Sequence, residues 1–148
     1  MVINHDLDLS LRIVAGTLSC SLVGVERAVR KHGAGMRTYG LVGLGSASLV
    51  TLSLDAFPNS TDKVVAGIIT GIGFLGAGML IRSGAHVQNL TSAVASWASA
   101  AMGCVFGAGR YVLGSVVGAL LLFLLEVPYV PGLRRLDPER HDANRSES

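Results

Sequence analysis

Residues 67–84 read GIITGIGFLGAGMLIRSG, and Gly71, Gly73 and Gly76 within them spell G-x-G-x-x-G, the letters of a loop that cradles a dinucleotide phosphate. That chemistry needs a strand before the loop, a helix opening on it and an acid about 20 residues later to hold a ribose. The context is missing: the glycines sit inside one apolar run, and no carboxylate occurs between Asp62 and Glu126. A nucleotide site is not expected, so the glycines need another explanation.

The densest charged stretch is GVERAVRKHGAGMRT, residues 24–38. Glu26 and Arg30 stand one helical turn apart in the favourable order. The sharper expectation is a fixed ion-pair network of Glu26, Arg27 and Arg37 at the cytoplasmic mouth of a bundle, with Thr38 capping the helix that follows. The plainer one is a basic loop that sets topology and meets anionic lipid. His5, His32, His86 and His141 are scattered over termini and loops, while Cys20 and Cys104 lie in apolar runs. Neither set has metal-ligand spacing or a nucleophile–base arrangement, so no catalytic residue, metal or cofactor is expected, and the protein is not expected to be an enzyme. No nucleic-acid partner is expected either.

The elements that carry these residues are set by composition. Of 148 residues, 50% are hydrophobic and 15% charged, with a mean hydropathy of +0.53. Soluble domains carry about 25% charged residues. A bilayer core of about 30 Å needs roughly 20 apolar residues in a helix. Five stretches come near that length: about residues 9–25, 39–57, 64–81, 90–106 and 111–128. The fourth carries Thr91, Ser92, Ser96 and Ser99, so its hydropathy is marginal, and loop charge arbitrates. With five spans, Arg27, Arg30, Lys31, Arg37, Arg82, Arg134, Arg135, Arg140 and Arg145 fall on one side and only Arg12, Lys63 and Arg110 on the other. The positive-inside rule then puts the N-terminus outside and the C-terminus in the cytoplasm. The expected fold is an all-α, polytopic transmembrane bundle of five spans. Residues 1–131 form one membrane domain, and 132–148 a short polar cytoplasmic tail, expected to be disordered. Tyr39 and Phe57 bracket the second span, and Tyr111 and Tyr129 the fifth, as interfacial anchors.

At about 100° per residue, Gly67, Gly71 and Gly78 share one stripe of the third span, and Ala66, Gly73, Gly76 and Ala77 a second. Val64, Ile68, Ile72, Leu75 and Met79 form the bulky remainder. Small residues let membrane helices approach closely. The glycine faces are therefore expected to pack on neighbours and the bulky face to meet lipid or a bulky partner. On the fourth span Ser92, Ser96, Ser99 and Gly103 recur at i, i+4, i+7 and i+11, a matching thin stripe whose hydroxyls could bond across helices for about 0.6 kcal/mol each.

Three blocks in this order, GVERAVRKHGAGMRTYGLVGLGSA, GIGFLGAGMLIRSG and LTSAVASWASAAMG, resemble the signature blocks of the MgtC/SapB family of bacterial inner-membrane proteins over about residues 9–127. The matching positions are Gly24, Glu26, Arg27, Gly35, Arg37 and Thr38, then Gly71, Gly73, Phe74, Gly76, Gly78 and Arg82. The third block adds Leu90, Thr91, Ala93, Trp97, Ala100, Ala101 and Gly103. The resemblance implies a multi-pass inner-membrane regulator in adaptation to low magnesium or acid stress and in virulence. It also implies intramembrane contact with a partner such as the F-type ATP synthase. Two departures stand out. Val87, Gln88, Asn89 and Leu90 replace V-R-G-L, and Gly67 stands where a glutamine is common. Many members continue into a soluble ACT-like domain, which is not expected here.

Three functional classes follow, the last a structural subunit of a larger assembly without a function of its own. The first is a regulator that binds another membrane protein, or a second copy of itself, through small-residue faces. The alternative is a transporter or channel for magnesium or another cation, using backbone exposed at the glycine-rich span.

Overall fold

The computed structural model describes residues 2–30, 34–83 and 86–129, which leaves the 132–148 tail outside the described residues. Five helices carry the chain: α1 (Val2–Val29), α2 (Met36–Ala56), α3 (Thr61–Met79), α4 (Leu90–Gly107) and α5 (Tyr111–Glu126). All five are long and apolar enough to cross a membrane. The helical-bundle class thus holds, with one addition. Beyond α3, β1 (Ile81–Ser83) and β2 (His86–Gln88) pair antiparallel, with Ile81 opposite Gln88. The third span therefore ends at Met79 rather than at 81, because Leu80 turns extended.

The first helix begins earlier than hydropathy suggests. Asp8 and Arg12 pair across one turn at 2.6 Å, and Ser10 donates to the Asp6 carbonyl, so polar turns extend the helix beyond its apolar part. His5 reaches Asp55 at the far end of α2. At the opposite end of the bundle Arg30 of α1 meets Glu126 of α5, and Asn89 donates to the Met79 carbonyl. Successive helices thus run up and down.

Helix α4 is the axis of the bundle. Ser92, Ala93, Ala95, Ser96, Ser99, Ala100, Met102, Gly103, Phe106 and Gly107 are all buried on it. That explains its marginal hydropathy: most of this span packs on α1, α2, α3 and α5, and only a narrow stripe through Leu90, Val94 and Trp97 is left exposed to lipid. Two apolar clusters flank it. One joins Cys20, Val23, Tyr39, Met102, Phe106, Leu121 and Leu125, and the other joins Val50, Ile68, Ile72 and Ala100.

Close approach at this axis depends on glycine. A Cβ built on Gly43 would lie 2.6 Å from Cys20 Cβ and 2.8 Å from the Gly16 carbonyl, and one on Gly107 would lie 2.6 Å from the Ala47 carbonyl. Backbone stands in the way at both positions, so no side chain can be accommodated without moving a helix.

The loop before α4 also resolves one departure from the family pattern. Asn89 holds φ 65°, the left-handed region, where the family commonly has glycine. Asparagine is the non-glycine residue best suited to that conformation.

Candidate functional site

Two regions qualify, and they differ in chemistry. The first lies where the C-terminal ends of α1 and α5 meet the N-terminal ends of α2 and α4. Arg27 is only 1% exposed, and its guanidinium holds Glu26 in two bonds, Nε to Oε2 at 2.6 Å and Nη2 to Oε1 at 2.9 Å. Such a two-pronged arrangement fixes both groups in one plane. Arg30 sits 3.9 Å from the same carboxylate, bonds Glu126 and lies 3.9 Å over the Tyr129 ring. Burying a charge is costly unless it is paired and hydrogen-bonded, and here the pairing is direct. The arrangement supplies fixed charge that ties the end of α1 to the end of α5.

This cluster differs from the sequence expectation in membership. Glu26 and Arg27 come together as expected. Arg37 does not join them: it is exposed, makes no ion pair among the described residues, and stands at the rim of a separate groove. Thr38 is not a cap, because α2 starts at Met36 behind Gly35 and no side chain caps it. Tyr39 is fully buried and donates its hydroxyl to the Ser92 carbonyl at 3.2 Å, so it is a core residue and not an interfacial anchor. Glu126 and Tyr129 were not legible as members, lying almost a hundred residues from Arg30. The odd number of spans was the available signal, since it puts the ends of α1 and α5 on one side.

The second region is α3. Ile68 and Ile72 are buried against Val50 and Ala100, with Gly76 beside Ala93. Gly67, Gly71, Gly73 and Gly78 face open space: nothing lies within 4 Å of a Cβ built on any of them. The expected orientation is thereby reversed, with the bulky side inward and most of the glycine outward. The reason is complementarity. Helix α4 supplies the small Ala100, so α3 fills the space there with isoleucine and makes more van der Waals contact than glycine would, while Gly76 sits beside Ala93.

The stripe Ser92, Ser96, Ser99 and Gly103 is buried at the axis. It works through backbone more than hydroxyls. Tyr39 bonds the Ser92 carbonyl, Cys20 Sγ donates to the Ser99 carbonyl, and the Ser99 hydroxyl has no hydrogen-bond partner. At Gly103 a Cβ would lie 3.0 Å from Ser46 Cβ.

Two outward surfaces result on α3. One is a stripe of exposed Ala66, Thr70, Gly73 and Ala77, spaced i, i+4, i+7 and i+11. The other faces α2 across a groove of about 750 Å³, with Arg37 and Thr38 at one end, Gly45, Gly67 and Gly71 along it, and Leu49 towards the other end.

A model of the MgtC family matches residues 13–130. The chain is 34% identical over 140 residues to the Escherichia coli K12 protein named "Putative magnesium transporter YhiD", covering 88% of this chain and 65% of that one. It is 40% identical over 101 residues to "Protein MgtC" of Salmonella typhimurium, covering 68% and 44%, and 40% identical over 122 residues to "Protein MgtC" of Brucella abortus, covering 77% and 51%. The chain thus spans between 44% and 65% of the length of these relatives. No solved structure matches it.

Proposed function

The chain belongs to the MgtC family, and from that premise we propose that it is a non-enzymatic regulator in the bacterial inner membrane. It serves adaptation to low magnesium or acid stress and acts by contact with another membrane protein inside the bilayer. The observation that carries this reading is the outward stripe Ala66, Thr70, Gly73 and Ala77, small residues left exposed by all five described helices. A stripe of this kind lets a second helix come close enough for backbone contact. The F-type ATP synthase is the partner suggested by resemblance, and a second copy of the chain is the simplest alternative. The bias of basic residues supports an outside N-terminus and a cytoplasmic C-terminus.

Native co-purification from magnesium-limited cells tests the reading. A discrete membrane partner retained by the native chain and lost on Gly73→Leu supports it. A chain that is reproducibly recovered alone contradicts it.

Magnesium transport is the second reading, favoured by the name of the Escherichia coli relative. Magnesium flux into sealed proteoliposomes separates the two. Uptake above empty vesicles would reverse their order.

A further inference from the structure

We propose that the groove between α2 and α3 is a binding site for one anionic phospholipid. The phosphate would be held by Arg37 and Thr38 and an acyl chain would lie along Gly67 and Gly71. This goes beyond the regulatory reading and uses a different face of α3, since the stripe through Gly73 points away from the groove.

Three features of the groove carry it. Its polar Ser46 is buried, and its charged group and its exposed hydroxyl are at one end. Arg37 is exposed there without an ion-pair partner among the described residues, and the Thr38 hydroxyl is beside it in sequence. From that end the lining becomes aliphatic, as at Leu41 and Leu49, with open space over the glycines. The groove is long as well: Arg37 to Leu49 is twelve residues of helix, about 18 Å. Half of a bilayer core is about 15 Å. A cation at one end of a hydrocarbon-lined slot one leaflet deep is complementary to an anionic head with its chain.

The charge distribution favours a lipid over a protein helix. Arg27 and Arg30 are neutralised by Glu26 and Glu126 within the bundle, whereas Arg37, at the same end, is not. A guanidinium matches phosphate with two parallel bonds and does so best where water is sparse. A purely apolar partner helix would leave that charge unmatched at the mouth.

Native mass spectrometry of the full chain, released from nanodiscs of equal phosphatidylglycerol and phosphatidylcholine with matched chains, tests the site. The native protein should retain one phosphatidylglycerol in roughly tenfold preference over phosphatidylcholine, the scale of one charge-assisted contact. Arg37→Gln should abolish the preference. Gly71→Leu, which fills the slot without touching Arg37, should lose the retained lipid. Gly73→Leu should keep it while losing any protein partner, so failure here is distinct from failure of the regulatory reading. Arg37 is exposed and a Cβ at Gly71 meets nothing within 4 Å, so both variants should fold, which thermal unfolding in detergent verifies. Equal retention of the two lipids by the native chain overturns the proposal. So does unchanged retention in both variants, or a cysteine at Gly45 that crosslinks efficiently to a second protein chain.

Discussion

Glycine serves opposite purposes in two parts of this bundle. Around α4, at Gly43 and Gly107, it is there because backbone occupies the space a side chain would need. Along α3, at Gly67, Gly71, Gly73 and Gly78, the space is empty. The first set is explained by the fold of the chain itself. The second meets no neighbour among the described residues, and that openness is what the proposed contact with another molecule requires. Packing therefore accounts for the interior glycines, whereas those of α3 open outward, where the proposed partner would meet them.

Substitutions can break that contrast, and the largest effect belongs to the buried charge. Arg27→Met leaves Glu26 without its two-pronged partner in a buried setting, and should destabilise the protein by about 3–5 kcal/mol in thermal or denaturant unfolding of the purified chain. Arg30→Met, on a pair that is more exposed, should cost less than about 1 kcal/mol. Equal losses would show that the α1 end is not organised around Arg27.

Next comes glycine in the interior. Gly43→Val forces a side chain into Cys20 and the Gly16 carbonyl and should cost about 1–3 kcal/mol or more, read as a fall in unfolding temperature. Tyr39→Phe should cost about 0.5–1.5 kcal/mol by removing its bond to the Ser92 carbonyl, measured in the same way. The smallest effect separates the two regions most cleanly. Gly73→Ala should not lower stability and should raise it by up to about 1 kcal/mol, since alanine holds a helix better than glycine where nothing obstructs it. A loss comparable to that at Gly43 would mean that α3 glycines are part of the internal packing after all.

The number of spans was legible in the sequence because hydrophobic length and loop charge report it directly, even for the serine-rich α4. Which way α3 faces was not. In water a bulky apolar face turns inward because exposure is penalised, but lipid tails are as apolar as isoleucine and give no such sign. Orientation is decided by fit to α4, whose Ala100 leaves room for Ile68 and Ile72 and whose Ala93 meets Gly76, and that fit is a property of two helices together. Glu26 with Arg27 was legible as a local cluster. Its closure by Glu126 through Arg30, and the separation of Arg37 from it, depend on how helix ends meet across the bundle. The extra turns of α1 were hidden because Asp6 and Asp8 reduce hydropathy, although the Asp8–Arg12 pair one turn apart favours the helix.

The most direct measurement of the central claim is photo-crosslinking in native membranes, with a photoreactive residue at Thr70 on the open stripe of α3 and, for comparison, at Leu18 on the exposed side of α1. The account predicts a discrete protein adduct from position 70 that is lost when Gly73 is changed to Leu, and only lipid adducts from position 18. The same lipid-only pattern from both positions would contradict it.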